Sequence, residues 1–407
     1  MQIQLEGLRL NLLPSFLFHF PIHYNMIKVM ILGSKEYPFG SNRGDDPIPS
    51  GGMETYVNDL APELSRLCRL VIITRKFAGT ERHEKMGENI EIFRVPWLKG
   101  KWLRNPSFNI FSFLAALKTA GKSDVIYSNG VISGFFGLLL GSIFRKKTVF
   151  RPAGIGFIQY KAPIRNLLFA LESMVFKKSD AVIFHSDGEK RNSLRLVKFR
   201  REKGHVILTG FPVERFKSGS VGMRKSLAPE NEVLITSVSR FVPVKGIDYL
   251  IEACSMLRGV FRLVLVGSGP EEGRLRAMAQ DLHMKDRVLF LGFRLDIPDI
   301  LASTDIFVIS SLFEGLPTSL LEAMAAGAAC VVTDIGLPVE NMKTGAVVEP
   351  KNPEALKEAI QVLMSNKNLR AQLGSNARKF VEENCTQEMA AKRHMEVFGQ
   401  LLGQRNL

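Results

Sequence analysis

The stretch from Asp305 to Asp334 predicts a strand, a loop, a helix and a second strand in succession. Its apolar run at Ile306–Ile309 is typical of a buried parallel strand, and a second apolar run begins at Cys330. Pro317 suits the first helical turn because its missing N–H has no partner there, and Gly327 suits the left-handed residue just past the helix end. A strand, helix, strand unit of this kind indicates a parallel sheet in the second half of the chain.

Two acidic residues in this stretch, Glu314 and Glu322, are candidates for ligand binding. Glu314 follows the first strand and Glu322 comes about one turn into the helix, so both can face the crevice where parallel sheets bind ligands. The helix start between them presents unpaired N–H groups and a positive dipole end to an anion. Either residue alone could be an ordinary solvated acid in a loop or on a helix surface. The surrounding sequence therefore has to decide whether the two acids bind a ligand.

That sequence, FEGLPTSLLEAMAAG over residues 313–327, resembles the donor-sugar signature of the family-4 retaining glycosyltransferases. The resemblance extends from about Met26 to the C-terminus. It implies an α/β protein with the GT-B fold, in which two Rossmann-like, doubly wound parallel-sheet domains face each other across a cleft. It also implies a hexosyltransferase-type enzyme that moves a sugar from a nucleotide-diphosphate donor with retention of configuration.

The 407 residues suffice for two domains. Residues 1–25 are an apolar, proline-containing extension, too short to span a bilayer and without signal-peptide features, so either Met26 is the working start or the extension is an interfacial anchor. Residues 26–215 are predicted to form an acceptor-side domain and residues 216–385 a donor-binding domain. The resemblance implies that a last helix, within residues 386–407, returns to the first domain.

Strand and helix patterns alternate through both domains, which predicts parallel sheets. In the first domain the apolar runs predict helices at Asn109–Ala120 and Ser133–Phe144, among others. A Gly-Gly pair at residues 51–52 opens a helix after the first loop, where backbone N–H groups can approach a phosphate without obstruction. The turn that contains Gly267 and Gly269 lacks the glycine spacing of a dinucleotide-binding fingerprint.

The donor site is predicted from the second domain. Arg240 and Lys245 follow its first strand, where Arg can bind a diphosphate with its forked guanidinium and Lys as a point charge. The resemblance places the family's donor-diphosphate pair on these two residues, and it implies that Glu314 holds sugar hydroxyls. Arg240, Lys245 and Glu314 are therefore the predicted catalytic residues. The predicted donor-binding positions are Gly51, Gly52, Gly267, Gly269, Gly315, Leu316 and Glu322, the last through the ribose hydroxyls.

The first domain departs from the family pattern. Tyr127 and Asn129 stand where histidines are usual, and Ala153 precedes Gly154 where a His-Gly pair is usual. Either Asn129 or Arg151 substitutes for the histidine on the acceptor side, or the acceptor hydroxyl needs no protein base because the departing phosphate takes its proton. We favour the second alternative.

Basic residues are concentrated in the first half of the chain. Residues 1–215 hold 32 Lys+Arg against 18 Asp+Glu, whereas the remaining residues are balanced. Two interpretations of this asymmetry stay open. Either the first domain binds an anionic partner, such as a membrane surface or a lipid diphosphate, or it simply has a well-solvated basic surface. The basic tract at Lys190–Lys203 favours a surface helix over a bilayer contact. Nucleic acid is not expected, because the basic stretches lack an aromatic stacking platform.

No metal or other cofactor is expected. The four cysteines are scattered, which indicates free thiols in a reducing cytosol. The expected partners are a nucleotide sugar and a glycan or lipid-linked acceptor, in the cytoplasm or peripherally on the cytoplasmic face of a membrane, in surface polysaccharide or glycolipid synthesis. Two alternatives stay open: a sugar-nucleotide epimerase or phosphorylase on the same fold, and a non-catalytic subunit that binds a nucleotide sugar.

Overall fold

The computed structural model describes residues 26–38, 52–100, 103–152, 164–217, 219–229 and 231–404. The predicted extension at residues 1–25, the predicted donor residue Gly51, and Ala153 and Gly154 lie outside the described residues.

Eight strands of the described chain form the first sheet. Their bounds are β1 (Lys28–Leu32), β2 (Arg69–Arg75), β3 (His83–Met86), β4 (Ile90–Val95), β5 (Val125–Asn129), β6 (Lys147–Arg151), β7 (Ala181–Phe184) and β8 (Gly204–Val206). Their order is β3-β4-β2-β1-β5-β6-β7-β8, and each described pair is parallel except β3 with β4. The direction of winding reverses between β1 and β5, as in a doubly wound sheet.

The second sheet has six strands among the described residues. They are β9 (Val233–Val238), β10 (Phe261–Val266), β11 (Val288–Gly292), β12 (Ile306–Ile309), β13 (Ala329–Thr333) and β14 (Ala346–Val348). The order is β11-β10-β9-β12-β13-β14 and all these pairs are parallel. Its winding reverses between β9 and β12. The prediction of two doubly wound sheets is confirmed.

Helices fill most connections between the strands. The bounds are α1 (Gly52–Leu64), α2 (Arg104–Ala116), α3 (Val131–Phe144), α4 (Ile164–Lys178), α5 (Asp187–Val197), α6 (Val213–Lys217), α7 (Arg224–Leu227), α8 (Ile247–Ser255), α9 (Glu272–Asp281), α10 (Ile297–Ala302), α11 (Thr318–Ala326), α12 (Pro353–Ser365), α13 (Lys367–Asn384) and α14 (Gln387–Leu401). None of these described helices has both the length and the apolar character needed to cross a bilayer.

Both faces of each sheet are buried, because alternate residues of a strand enter different apolar clusters. In β1, Val29 and Ile31 belong to one cluster and Met30 and Leu32 to another. In β12, the same alternation separates the even-numbered from the odd-numbered residues. This two-sided burial explains why the strands read as continuous apolar runs in the sequence. The four cysteines are also buried and free.

Helix α14 packs on the first domain, although it follows the second domain in the chain. Ala390, Met395 and Phe398 belong to the same apolar cluster as β1 and α1. The Phe398 ring also meets the Tyr127 ring in a T-shaped contact, with centroids 5.9 Å apart. The last helix therefore joins the two domains through the core of the first.

We expect Phe398→Ala to lower the free energy of unfolding by about 3–5 kcal/mol, because Phe398 is fully buried and its removal leaves a cavity. Lys392→Ala is the control on the same helix, since Lys392 is exposed and pairs with the exposed Glu388. That change should cost about 0–1 kcal/mol. Urea unfolding followed by circular dichroism measures both. Equal stabilities for the two variants would contradict the docking of α14.

Candidate functional site

Three loops meet at the carboxyl ends of β9, β10 and β12, where the winding of the second sheet reverses. The Leu312 N–H donates to the Val244 carbonyl (2.8 Å), and the Phe241 N–H donates to the Ser268 carbonyl (2.9 Å). The Ser310 hydroxyl donates to the Lys245 carbonyl (3.0 Å). These bonds hold the loops of the predicted donor site side by side, at the position where doubly wound sheets bind ligands.

Lys245 and Glu314 form an ion pair in this crevice. The Ser311 hydroxyl donates to the same Glu314 Oε1 (2.9 Å). Both charged side chains are only 14% exposed. Arg240 lies in the same loop as Lys245, but its side chain is exposed and forms no ion pair with a described acid. The structure thus brings two of the three predicted catalytic residues into contact and leaves a cation free beside them.

Gly267 and Gly269 have a packing reason to be glycine. A Cβ on Gly267 would lie 1.9 Å from the Ser239 carbonyl oxygen, and one on Gly269 would lie 2.3 Å from the Phe241 carbonyl oxygen. Gly267 also has a φ of +131°, which favours glycine. The close approach of this turn supports the loop that carries Arg240.

Helix α11 begins beside Glu314 and ends at Gly327. Pro317 precedes the helix with an extended ψ of 121°, so it caps the helix and lies one position earlier than predicted. Gly327 has the predicted left-handed conformation, with a φ of 83°. Leu316 packs against the apolar cluster formed by β12, β13 and α11. The backbone N–H groups of the first turn of α11 are therefore directed toward the crevice end of the sheet.

Glu322 is a half-buried acid on α11. Burial raises the pKa of its carboxyl group to about 7, although the nearby Arg215 opposes this shift. No described residue donates a hydrogen bond to this carboxyl group. The predicted ribose-binding residue therefore has free acceptor oxygens.

The raised pKa of Glu322 predicts a pH-dependent stability. The folded state binds the Glu322 proton more tightly than the unfolded state does, because the pKa is raised on folding. The folded state is therefore most stable below pH 4.5, and this stability is lost as the pH rises from 4.5 through about 7. Glu322→Gln mimics the protonated acid, so it should exceed the wild type in stability by up to about 3 kcal/mol at pH 8 and match it at pH 4.5. Urea unfolding at both pH values measures this difference. The exposed Glu358→Gln is the control, and a pH-independent effect of Glu322→Gln would contradict the prediction.

The start of α5 forms the first-domain wall of the crevice. The Ser186 hydroxyl donates to the Gly315 carbonyl (2.5 Å), and the Gly188 N–H donates to the Gly336 carbonyl (3.1 Å). The Glu189 carboxylate also borders this loop, since a Cβ on Gly315 would lie 3.7 Å from its Oε1. Gly315 thus lies where the two domains touch. Ser186 and Glu189 were missed by the sequence analysis, although S-x-x-E before a helix is a capping-box pattern.

Behind this wall lies a buried polar network that contains both predicted acceptor-side residues. Arg151 Nε donates to His185 Nε2 (2.5 Å), and its guanidinium stacks over the Tyr56 ring at 3.8 Å. Arg151 also contacts the Asn129 Oδ1 at 3.5 Å. Asn129 and Arg151 are 2% and 6% exposed, so their side chains are engaged within the first domain.

The same network holds α14 to the first domain. The Tyr56 hydroxyl bonds to the Tyr127 hydroxyl (2.8 Å) and to His394 Nε2 (2.6 Å). Burial lowers the pKa of His394 to about 4, and burial together with Arg151 holds the pKa of His185 well below its usual value. Both imidazoles are neutral and bonded, which makes either one a poor general base. No pattern in the sequence indicates these contacts.

The described residues contain no group of three or more His, Cys, Asp or Glu side chains arranged to hold a metal ion. The cations of the crevice are Arg240 and Lys245, together with the helix start at α11. This arrangement can bind an anion next to a carboxylate that accepts hydrogen bonds from hydroxyl groups.

Comparison with known proteins identifies the family. Residues 222–380 match the family model for glycosyl transferases group 1, and residues 50–215 match that for glycosyltransferase family 4. The two matches together span most of both domains. The chain belongs to the family-4, group 1 glycosyltransferases.

Several relatives of this glycosyltransferase are similar over most of their length. An uncharacterized glycosyltransferase of Methanocaldococcus jannaschii is 26% identical, over 86% of this chain and 95% of its own. The Escherichia coli UDP-Gal:alpha-D-GlcNAc-diphosphoundecaprenol alpha-1,3-galactosyltransferase is 27% identical, over 70% of this chain and 77% of its own. The crystal structure of Anabaena HepE in complex with UDP has a TM-score of 0.72 at 20% identity, covering 92% of this chain and 100% of that one. The predicted GT-B fold is confirmed.

Proposed function

We propose that this glycosyltransferase moves a sugar from a nucleotide-diphosphate donor to a glycan or lipid-linked acceptor with retention of configuration. The observation that carries the proposal is the contact between Lys245 and Glu314 at the switch point of the second sheet, with Arg240 free beside it. This site combines cations for a diphosphate with a carboxylate for sugar hydroxyls. The sequence motif at residues 313–327 supports the same assignment.

The chemistry follows from these charges. As the bond between the anomeric carbon and the diphosphate oxygen breaks, negative charge grows on the leaving group and the sugar becomes oxocarbenium-like. Lys245, Arg240 and the start of α11 would stabilise the leaving group, and no metal is needed for this role. Glu314 would orient the sugar, and Glu322 would accept hydrogen bonds from the ribose hydroxyls.

The acceptor hydroxyl would attack from the face that the leaving group vacates. Its proton would pass to the departing diphosphate oxygen, so this step would need no protein base. The neutral, bonded state of His185 supports this route, because its ring nitrogens are occupied. The basic first domain suits a diphosphate-linked acceptor, as in the name of the E. coli relative, and a place in surface polysaccharide or glycolipid synthesis at the cytoplasmic face of a membrane.

A panel of UDP-, GDP- and ADP-sugars tests the donor site. We expect one donor to raise the melting temperature by about 5 °C or more at a hundredfold excess over its Kd, and to be slowly hydrolysed. Glu314→Gln should lose both effects. Glu340→Gln should keep them, because Glu340 forms a similar pair with Lys343 on the exposed surface.

Transfer to a prenyl-diphosphate-linked sugar tests the reaction itself. The anomeric proton coupling in the product reports configuration, and an inverted product would exclude retention. Donor binding without any transferred sugar would favour the non-catalytic subunit. Conversion of the donor to an epimer, or to a sugar phosphate, would favour the epimerase or the phosphorylase.

A further inference from the structure

An open cavity of about 380 Å³ lies against α5 in the first domain. Its size falls within the roughly 300–1,000 Å³ typical of small-molecule sites. The lining contains four cations, one acid and one leucine: Asp187, Lys190, Arg191, Leu194, Arg195 and Arg201. Their spacing of three or four residues places the α5 members on one face of the helix. The cavity is therefore strongly electropositive, and all of these lining residues belong to the first domain.

The arginines of this cavity lack an acidic partner among the residues that the structure describes. Arg191, Arg195 and Arg201 form no ion pair with any acid in the described part of the chain, and all three are exposed. Lys190 is held in place because its ammonium donates to the Gly204 carbonyl (2.6 Å). Uncompensated arginines around a concavity are a common arrangement for binding phosphate groups, since the guanidinium fork matches two phosphate oxygens.

The cavity also reaches the boundary between the domains. The Arg191 guanidinium lies against Gly336 of the second domain, where an added Cβ would come within 2.6 Å of it. The neighbouring Gly188 N–H donates to the Gly336 carbonyl. A ligand in the cavity would therefore contact a side chain that itself touches the opposite domain.

We propose that this cavity is a second anion site, which binds a diphosphate group outside the donor site. A concave set of four cations suits a compact, multiply charged anion better than the flat surface of a bilayer, which would meet them one side chain at a time. Asp187 is the single opposing charge in the lining, so its removal should strengthen binding. These opposite effects of Asp187 and the arginines distinguish an anion site from a structural role.

The test uses the full chain with Arg240→Gln, Lys245→Ala and Glu314→Gln, so that both donor-site cations and the paired carboxylate are absent. Titration calorimetry with inorganic pyrophosphate at low salt should detect one site. Adding Arg195→Gln and Arg201→Gln should weaken the Kd by about tenfold or more, and adding Asp187→Asn should tighten it by roughly twofold or more. Arg82→Gln with Lys118→Gln removes two exposed first-domain cations away from the cavity and should leave the Kd unchanged.

The donor assignment does not enter this test, because the readout is pyrophosphate binding in a chain without Lys245. Absence of pyrophosphate binding would overturn the proposal, as would binding that the two arginine substitutions leave unchanged. Vesicles of phosphatidylglycerol and of phosphatidylcholine form a second arm. Arginine-dependent binding to the anionic vesicles without binding of pyrophosphate would identify a membrane contact instead, and would also overturn it.

Discussion

Replacing Lys245 with alanine is expected to lower kcat/KM for sugar transfer by about 10²–10³-fold, the usual loss when one group that stabilises a leaving oxyanion is removed. Lys245 lies in the crevice with only 14% of its side chain exposed, so water cannot easily replace its charge. The loss should fall mainly on kcat, because charge on the leaving group grows in the transition state. Steady-state kinetics with the donor found in the nucleotide-sugar panel measure it.

A matched control and a rescue separate catalysis from stability. Lys343→Ala also removes a lysine that pairs with a glutamate, but on the exposed surface, and it should keep wild-type kinetics. Lys245→Ala leaves the Glu314 carboxylate uncompensated in a half-buried site, which should lower the melting temperature. Adding Glu314→Gln should restore the melting temperature without restoring transfer. Full activity in Lys245→Ala would show that the donor diphosphate binds elsewhere.

The buried strands were the most predictable part of the fold. The predicted run at Ile306–Ile309 matches β12 residue for residue, and the run predicted to begin at Cys330 lies in β13. Such strands are covered by helices on both faces, so every residue is apolar or small and the run is visible without knowledge of its partners.

Edge strands and one helix boundary were less predictable. Strand β3 (His83–Met86) is a polar edge strand, and β8 has only three residues, so neither produces an apolar run. Helix α2 begins at Arg104, although the sequence predicts a start at Asn109 after Pro106. Proline is tolerated in the first helical turn because its missing N–H has no intrahelical partner there. The same helix ends at Ala116, four residues before the predicted end at Ala120.

The candidate site also has a part that the sequence predicts and a part that it does not. The loops with Lys245 and Glu314 could be placed together because both follow strands predicted in one parallel sheet. The polar network behind the first-domain wall could not be predicted from the sequence, since Tyr56 and His394 are 338 residues apart in the chain. No local pattern reports such a contact; it depends on α14 returning to pack on α1.

The contact between the domains leads to a second large expected effect, from Gly188→Ala. A Cβ on Gly188 would lie 1.9 Å from the Ile335 carbonyl oxygen, which is backbone and cannot move aside easily. The same change inside a helix normally stabilises a protein by about 0.4–1 kcal/mol. We therefore expect α5 to stay folded while the domains are held apart, with kcat/KM lowered by about tenfold or more because closure completes the site.

Gly273→Ala is the matched control, since Gly273 occupies the second position of α9, as Gly188 does of α5, and a Cβ there would meet nothing within 4 Å. It should keep wild-type kinetics. Circular dichroism should show unchanged helix content in both variants, and small-angle scattering should show a larger radius of gyration only for Gly188→Ala. Because Ser186 and Gly188 both bond to second-domain loops, loss of their approach also removes the wall beside Gly315. Wild-type kcat/KM in Gly188→Ala would mean that sugar transfer does not require this contact.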